Sequence, residues 1–399
     1  MSKALIYLQS GGPTSVINSS LYGAIREAQK HKEVSKILGS LHGIEGLLDD
    51  DIIDIGKEDD EDIELLKQTP AAILGSSRYK LPSSFEDEAY KKILATLVKH
   101  NCGYLLLNGG NDSMDTCSKL ATYFRENNVD IKVIGVPKTI DNDLVLTDHC
   151  PGYASACKYV INTVKSVCLD ARCYKKGKVY IIEMMGRNAG WLTASVDLLK
   201  KPYRPDLIYL PETNFDLLNF LKDIREIYEQ YGNAVVALSE GVVFARDVSN
   251  VSKDSFGHVQ LDGACEELAK IVKRTLGLKT RATQLSLPQR ANPQLMSKVD
   301  QEEAIEVGAH AALAAINGES EKMVAIKRIS SSPYKVSYEL VDVKEVANKE
   351  KTIPADYMDS LFGMSDKFKE YLTPLIKGEI DIKYEDGICK AAHFKKIRD

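Results

Sequence analysis

Two carboxylates and one lysine lie close together in the segment Pro137–Asp143. Lys138 precedes Asp141 by three residues, and Asp143 follows two residues later. Phosphoryl transfer uses such groups, because it needs a base beside the accepting hydroxyl, a magnesium site and a positive charge on the phosphates. Asp and Asn also favour ordinary turns, so this segment alone leaves a structural turn equally open.

Two pairs of glycines, Gly11-Gly12 and Gly109-Gly110, each follow an apolar run and precede a helical pattern. Glycine lets the backbone approach a phosphate closely, and the free N–H groups at a helix N-terminus attract anions. The sequence has no Walker A motif, GxxxxGK[ST]. A single glycine turn can be purely structural, whereas two such turns in one chain favour phosphate binding.

The elements that must position these residues alternate between apolar runs of strand length and amphipathic helical patterns. The predicted strands lie at 4–8, 104–107, 133–136, 179–182, 208–210 and 234–238. The predicted helices lie at 17–28, 154–172, 214–230, 262–275 and 298–316, with another after Ser113. Continuous apolar strands separated by helices predict an α/β fold of mostly parallel sheets that are covered by helices on both faces.

The length of 399 residues and the order of these elements predict two α/β domains. We expect the first domain to cover 1–152, with 298–330 packing back on it, and the second to cover 153–297. Residues 331–399 mix short strands with charged helices, and the packing of this C-terminal extension is left open. In open parallel sheets, ligands bind past the carboxyl ends of the strands, which is where both glycine pairs lie.

The composition limits the partners. Hydrophobic residues make up 44% of the chain, which can bury a sizeable core, and the net charge is −5. The excess of acidic residues argues against general binding of nucleic acid or of an anionic membrane surface. The chain has no apolar run long enough to span a bilayer and no signal-peptide pattern, and its eight cysteines form no CxxC pair. We therefore expect a cytoplasmic protein with free, mostly buried thiols.

Seven short motifs, in the same order along the chain, resemble the phosphofructokinase family over about residues 3–330. They are Gly11–Pro13, Gly75–Arg78, Gly109–Ser113, Pro137–Asp143, Met185–Gly190, Ser239–Gly241, and Thr280–Thr283 followed by Gln289-Arg290. The resemblance implies transfer of a phosphoryl group from ATP or pyrophosphate to the 1-hydroxyl of fructose 6-phosphate, with Mg²⁺ as the cofactor. It also implies an active site in the cleft between the two domains, and a homodimer or homotetramer.

The resemblance assigns a role to each residue of the site. Asp141 is the base that takes the proton of the sugar 1-hydroxyl, and Asn111 and Asp143 hold the metal ion. The residues expected to bind the sugar phosphate are Thr139, Ile140, Asp141, Lys178, Met185, Gly186, Arg187, Glu240 and Arg290. The residues expected to bind the donor are Gly12, Arg78, Gly110, Asp112 and Lys138. Trp191 is expected to pack near the sugar site.

The resemblance implies that Asp112, Lys138 and Asp141 are catalytic. Asp112 and Lys138 also bear on the choice of donor, since ATP-using members of the family typically carry glycine at both positions. A carboxylate at 112 would lie near the α-phosphate of ATP, and like charges about 4 Å apart repel by about 4 kcal/mol at an effective dielectric constant of ~20. Lys138 can neutralise charge on the leaving phosphate. The pair resembles the pyrophosphate-dependent subgroup, whose reaction is reversible and serves glycolysis or gluconeogenesis.

Other interpretations stay open. ATP is the alternative donor, in which case Asp112 could simply cap a helix and Lys138 could be a solvated surface lysine. A non-catalytic regulatory protein that binds sugar phosphate is disfavoured, because the segment Thr139–Asp143 is intact. A related acceptor such as sedoheptulose 7-phosphate stays possible.

Three features depart from the family pattern. Gln289-Arg290 is followed by Ala-Asn-Pro in place of the usual Gly-Gly, so the later basic contacts are not assigned, and Lys298 is only a weak candidate for one of them. Asn111 stands where an acidic residue is usual, so an uncharged amide replaces a carboxylate near the metal ion. Lys178 stands where many members carry an arginine that reaches the sugar phosphate across a subunit boundary. A lysine keeps the charge but loses the bidentate geometry of arginine.

Overall fold

The structure is a computed structural model, and it describes residues 2–244, 263–360 and 362–398. Over these residues the strands are β1 (Lys3–Gln9), β2 (Val34–Ser40), β3 (Ile52–Asp54), β4 (Cys102–Gly109), β5 (Lys132–Pro137), β6 (Val179–Met184), β7 (Leu207–Tyr209), β8 (Ala234–Ser239), β9 (Thr280–Gln284), β10 (Lys322–Ser331), β11 (Tyr334–Asp342), β12 (Met358–Ser360), β13 (Gly363–Met364), β14 (Tyr384–Glu385) and β15 (Ile388–Cys389). The α-helices are α1 (Ile17–Ala28), α2 (Ile44–Asp49), α3 (Asp60–Leu65), α4 (Glu88–Lys99), α5 (Asn111–Glu126), α6 (Tyr153–Ala171), α7 (Trp191–Ala194), α8 (Leu217–Tyr231), α9 (Ala264–Leu276), α10 (Pro288–Ala291), α11 (Lys298–Ile316), α12 (Val343–Val346) and α13 (Asp366–Leu372).

Seven strands form the first sheet, in the order β11-β10-β5-β4-β1-β2-β3. The five inner strands run parallel, and β11 and β3 close the two edges antiparallel. Successive residues of β1 face opposite sides, because Ile6 and Leu8 belong to one buried cluster whereas Leu5 and Tyr7 belong to another. Helices cover both faces, which explains the uninterrupted apolar run of this strand.

Four parallel strands form the second sheet, in the order β7-β8-β6-β9. Helices α6 and α7 cover one face together with α13, while α8 and α9 cover the other. The prediction of an α/β fold with mostly parallel, helix-covered sheets is therefore confirmed. The antiparallel edges of the first sheet and two short hairpins, β12-β13 and β14-β15, are additions to it.

Residues 298–331 return to the first sheet, where α11 packs on α1 and β10 pairs with β5. Two glycines let the helices touch. A Cβ on Gly23 would lie 1.9 Å from the carbonyl oxygen of Ile305, and a Cβ on Gly308 would lie 1.9 Å from that of Ser20. This close approach of two backbones requires glycine at both positions.

The C-terminal extension packs on both sheets. Strand β11 forms an edge of the first sheet, and Phe394 joins the buried cluster of that sheet. Phe368 and Leu372 of α13 complete the core of the second sheet instead. The extension therefore connects the two halves of the molecule.

Several elements differ from the sequence prediction. Strands β2, β9, β10 and β11 had not been predicted, because their sequences mix charged and apolar residues. The helix predicted at 262–275 begins at Ala264, and residue 262 lies outside the described residues. The helix predicted at 298–316 has those bounds in the structure.

The cysteines and the helices bear on two further points of the sequence analysis. All eight cysteines are free, and six of them are buried. None of the helices in the described part of the chain has both the length and the apolar character that crossing a membrane requires.

Candidate active site

A cavity of about 470 Å³ lies where strands of both sheets end. Its walls follow the carboxyl ends of β1, β4, β5, β6 and β8, the usual position of a ligand site in parallel sheets. The lining residues are Gly11, Gly12, Pro13, Arg78, Gly110, Asn111, Asp112, Ser113, Lys138, Thr139, Ile140, Asp141, Asp143, Met185, Arg187, Glu240, Arg290, Asn348 and Glu350. Of the residues predicted for the site, all but Lys178 and Gly186 line this cavity.

The first glycine turn is held by the segment that precedes Arg78. Gly11 has a φ of 75°, its N–H donates to the carbonyl oxygen of Ser77 (3.1 Å), and its own carbonyl oxygen accepts from Ser76 Oγ (2.7 Å). A Cβ on Gly12 would lie 2.9 Å from Arg290 Nη1. Glycine therefore lets a guanidinium group approach the backbone at this end of the cavity.

Lys138 is buried, with only 3% of its surface exposed. Its Nζ donates to the carbonyl oxygen of Gly12 at 2.6 Å, which holds the ammonium group at the first glycine turn. Burial lowers the pKa of Lys138 to about 7; Asp141 opposes this shift, whereas Arg290 and Arg78 add to it. The alternative of a solvated surface lysine is therefore wrong.

The second glycine turn begins α5. Gly110 is the N-cap of this helix and Asp112 lies in its first turn, so the alternative that Asp112 caps the helix is wrong. The side chain still lines the cavity at the positive end of the helix dipole. A Cβ on Gly109 would lie 1.9 Å from Ser113 Oγ, so the close contact between strand end and helix requires glycine there.

The segment after β5 is folded by its own polar side chains. The hydroxyl of Thr139 accepts the N–H of Asp141 at 3.0 Å. Asn142 is buried with a φ of 55°; its amide oxygen accepts the N–H of Cys150 and its amide nitrogen donates to Tyr371 Oη, both at 3.0 Å. Asn142 thus holds the turn that places the carboxylates of its two neighbours, Asp141 and Asp143, on the cavity wall.

The two carboxyl groups of this segment have raised pKa values. Burial raises the pKa of Asp141 to about 6, with Glu240 adding to the shift and Arg187 opposing it. Burial and the charge of Asp141 raise the pKa of Asp143 to about 6 as well. Carboxylates of this kind are ionised at neutral pH and still accept a proton readily, which suits general base catalysis.

On the opposite wall, the ends of β6 and β8 position Glu240. Its Oε1 accepts the N–H groups of Gly186 (3.1 Å) and Arg187 (3.0 Å), and burial raises the pKa of this carboxyl group. Gly186, although outside the lining, therefore shapes the site through its backbone. Arg187 lines the cavity beside Glu240, and Arg290 lines it where its guanidinium group approaches Gly12, so the cavity combines a hydrogen-bond acceptor with two guanidinium groups.

Asp143 has the features of a metal ligand. Its Oδ1 is buried and has no hydrogen-bond partner among the residues that the structure describes. A buried carboxylate oxygen is costly without a partner, and a hard divalent cation prefers oxygen ligands. Asn111 is used differently: its Nδ2 donates to the carbonyl oxygen of Lys349, and its Oδ1 accepts the N–H of Asn348 (both 2.5 Å). The metal contact of Asn111 stays a prediction.

Lys178 lies away from the cavity of its own chain. It immediately precedes β6, whereas Met185 follows the end of that strand. A strand of six residues separates its two ends by about 20 Å. A contact between Lys178 and a ligand in this kind of cavity therefore requires a second subunit.

Asn348 and Glu350 line the cavity, although the sequence analysis left their segment open. The bond between Asn348 and Asn111 joins residues 237 positions apart in the chain. No motif or periodicity marks these two residues, because their contact with the cavity depends on how the extension folds back over it.

Three comparisons relate the chain to known proteins. The family model described as phosphofructokinase matches residues 4–315. The chain is 40% identical to a pyrophosphate–fructose 6-phosphate 1-phosphotransferase of Xanthomonas campestris, over 98% of this chain and 96% of that protein. It is 37% identical to a protein of the same name from Halomonas elongata, with the same two coverages of 98% and 96%. The crystal structure of a pyrophosphate-dependent phosphofructokinase from Nitrosospira multiformis is similar with a TM-score of 0.89 at 36% identity, over 100% of this chain and 98% of that one.

Proposed function

The chain belongs to the phosphofructokinase family, and from this premise we propose that it transfers a phosphoryl group from pyrophosphate to the 1-hydroxyl of fructose 6-phosphate. The products are fructose 1,6-bisphosphate and phosphate, and the reaction is reversible. The names of the relatives support this activity. The observation that carries it is the presence of Asp141, buried Lys138 and Asp112 around one cavity.

Asp141 is the base of the proposed reaction. It takes the proton of the 1-hydroxyl while that oxygen attacks the nearer phosphorus of pyrophosphate, and the P–O bond to the leaving phosphate breaks. Although burial raises its pKa to about 6, Asp141 is still mostly ionised at neutral pH. The bond between its N–H and the hydroxyl of Thr139 fixes the backbone from which the carboxylate projects.

The wall formed after β6 and β8 holds the sugar phosphate in this proposal. Arg290 binds the 6-phosphate through its planar guanidinium fork, and Glu240 accepts hydrogen bonds from sugar hydroxyls. Met185 and Arg187 contact the sugar from the end of β6. Met185, Arg187 and Glu240 follow strands of the second sheet, whereas the glycine turns follow strands of the first, which supports separate positions for acceptor and donor.

Pyrophosphate lies against the glycine turns, beside Gly12, Gly110 and Arg78. Lys138 neutralises charge on the leaving phosphate as the bond breaks, which a buried ammonium does more strongly than a solvated one. Asp112 places a negative charge in the path of a longer polyphosphate. Together these groups favour pyrophosphate over ATP.

Enzymes of this family use a divalent metal ion, and we propose Mg²⁺. When bound, the ion neutralises charge on the oxygens of pyrophosphate. Asp143 would hold it, since its buried Oδ1 lacks a partner among the described residues.

We further propose that residues 1–152 with 298–330 form a donor-binding domain and residues 153–297 a domain that binds the sugar phosphate. The glycine turns belong to the first sheet, and the segment Met185–Arg187 follows a strand of the second. The enzyme acts in the cytoplasm as a homodimer or homotetramer, in which Lys178 reaches the site of a neighbouring subunit.

The donor is tested on the purified chain by measuring fructose 1,6-bisphosphate formed from fructose 6-phosphate with each donor in turn. We expect turnover with pyrophosphate to exceed turnover with ATP by about 10²–10³-fold, the ratio that a few kcal/mol of repulsion produces. Turnover with ATP and none with pyrophosphate would contradict the proposal.

The residues that set the donor are tested by combining Asp112→Gly with Lys138→Gly. The double variant should use ATP better and pyrophosphate worse than the unaltered chain. Unchanged pyrophosphate turnover would show that other residues select the donor.

A further inference from the structure

A segment of the C-terminal extension contributes Asn348 and Glu350 to the cavity wall; we call residues 348–353 the strap. On one side, the amide of Asn111 holds the backbone of the strap at 348 and 349. On the other side, Ile353 N–H donates to Glu212 Oε1 (3.2 Å) and Trp191 Nε1 donates to the carbonyl oxygen of Lys351 (3.0 Å). The strap is thus fixed to elements of both sheets.

The strap also bonds the catalytic segment itself. The N–H of Lys351 donates to the carbonyl oxygen of Asp143 at 2.7 Å. The ammonium group of Lys351 donates to the carbonyl oxygens of Thr147 (3.1 Å) and Asp148 (3.0 Å), and Lys351 does not line the cavity. Its neighbour Glu350 lines the cavity instead.

Glu350 lines the same cavity as Asp143. The amide nitrogen of Asn188 lies 3.5 Å and 3.3 Å from the two oxygens of the Glu350 carboxylate, which orients it. The charge of Glu350 is one of the causes that raise the pKa of Asp143. Arg187 and Lys138 act on Asp143 in the opposite direction, and a divalent cation in the cavity would add to this compensation through the oxygen ligands that it prefers.

We propose that Glu350 is a ligand of the divalent cation used in phosphoryl transfer, and that it supplies the negative charge that Asn111 lacks. Asn111 then has a different task, since both ends of its amide hold the strap that carries Glu350. Mg²⁺ in phosphoryl-transfer sites is typically bound by one or two carboxylates and by oxygens of the substrate phosphates. Asp143 and Glu350 provide the two carboxylates. This inference rests on the proposed function, since pyrophosphate supplies the remaining oxygens.

The inference is tested with Mn²⁺, whose binding to the full chain is followed by electron paramagnetic resonance in the presence of methylenediphosphonate, an analogue of pyrophosphate that is not cleaved. Glu350→Gln removes the charge and keeps an acceptor for Asn188. We expect the dissociation constant of Mn²⁺ to rise at least about tenfold in this variant. Glu345→Gln is the matched control, because Glu345 pairs with Lys349 on the exposed side of α12 and should leave the constant unchanged.

A second variant tests the exchange of roles. Asn111→Asp in the Glu350→Gln background restores one negative charge and keeps an acceptor for the N–H of Asn348, but it loses the donor to the carbonyl oxygen of Lys349. We expect it to recover most of the lost Mn²⁺ affinity. Equal affinity in Glu350→Gln and the unaltered chain would overturn the inference. This experiment measures metal binding and does not depend on turnover. Failure of the proposed function would appear in the donor comparison instead, as absence of pyrophosphate turnover in the unaltered chain.

Discussion

At the scale of single residues, burial moves the pKa values of a base and a cation towards each other. The pKa of Asp141 is raised to about 6, and that of Lys138 is lowered to about 7. The proposed reaction needs both groups charged, the carboxylate to accept a proton and the ammonium to meet the leaving phosphate. Both groups are charged together only in a narrow range of pH.

We therefore expect a bell-shaped pH dependence of kcat/KM, which reports the ionisation of the free enzyme. Activity falls below about pH 6, because Asp141 gains a proton as the pH falls through its raised pKa. Activity falls above about pH 7, because Lys138 loses its proton as the pH rises through its lowered pKa. Initial rates with pyrophosphate and fructose 6-phosphate between about pH 5 and pH 9 measure both limbs.

The control for this profile is Lys138→Arg, because a guanidinium group stays charged over the whole range. The alkaline limb should move up by more than about one pH unit, while the acid limb stays in place. An alkaline limb that does not move would assign it to another group and contradict the role given to Lys138.

The sequence identifies Asp141 and Lys138 but not their pKa values. Their types and spacing stand in one motif, whereas the burial that shifts them comes from segments such as Gly12 and Arg290 that are distant in the chain. Glu350 is beyond prediction for the same reason. It is an exposed acidic residue in an unremarked segment, and only the folded strap brings it to the cavity.

At the scale of elements, the contact between α1 and α11 depends on two glycines. Helix propensity alone favours alanine over glycine by about 0.8–1.0 kcal/mol. The packing of the two helices disfavours alanine at this position, because a Cβ on Gly308 would lie 1.9 Å from the carbonyl oxygen of Ser20 and would force two packed backbones apart. Overpacking of a tight core costs about 1–3 kcal/mol, so packing outweighs propensity.

Gly308→Ala should therefore lower the free energy of unfolding by about 1–3 kcal/mol, measured as a lower midpoint in urea. Glu306→Ala is the control on the exposed side of α11, where substitutions change stability by less than about 0.5 kcal/mol. A higher midpoint for Gly308→Ala would mean that the helices separate without cost, contrary to the contact described.

The elements that sequence patterns predict well are those buried on both faces. β1 and β8 consist of apolar residues almost throughout, and their positions agree with the prediction. The edge strand β11 and its neighbour β10 place charged side chains in solvent, so their alternation carries little signal. Helix α13 is short, and its burial in the second core follows from tertiary contacts alone.

At the scale of the whole molecule, one predicted site residue lies at the wrong end of the second sheet for its own cavity. Lys178 precedes β6, and the cavity follows it. If Lys178 binds the 6-phosphate of the sugar, two chains must associate so that the beginning of β6 in one chain lies near the cavity of the other chain. The active form is then at least a dimer.

We expect Lys178→Ala to raise the KM for fructose 6-phosphate by about 10–100-fold, since a hydrogen bond to a charged group contributes about 1.5–3 kcal/mol. Lys176→Ala is the control, because Lys176 is exposed two residues earlier and lies outside the cavity. Sedimentation should show a dimer or larger assembly. An unchanged KM, or a fully active monomer, would contradict this use of Lys178.

The position of Trp191 has a spectroscopic consequence. It is the sole tryptophan of the chain, it packs edge-on or tilted against Tyr153, Tyr357 and Tyr371, and its indole N–H is bonded to the strap. The ammonium group of Lys351 lies 5.5 Å above its ring. All tryptophan fluorescence of the protein thus comes from one indole at the joint between the second sheet and the strap. The emission reports movement of the strap without an added label.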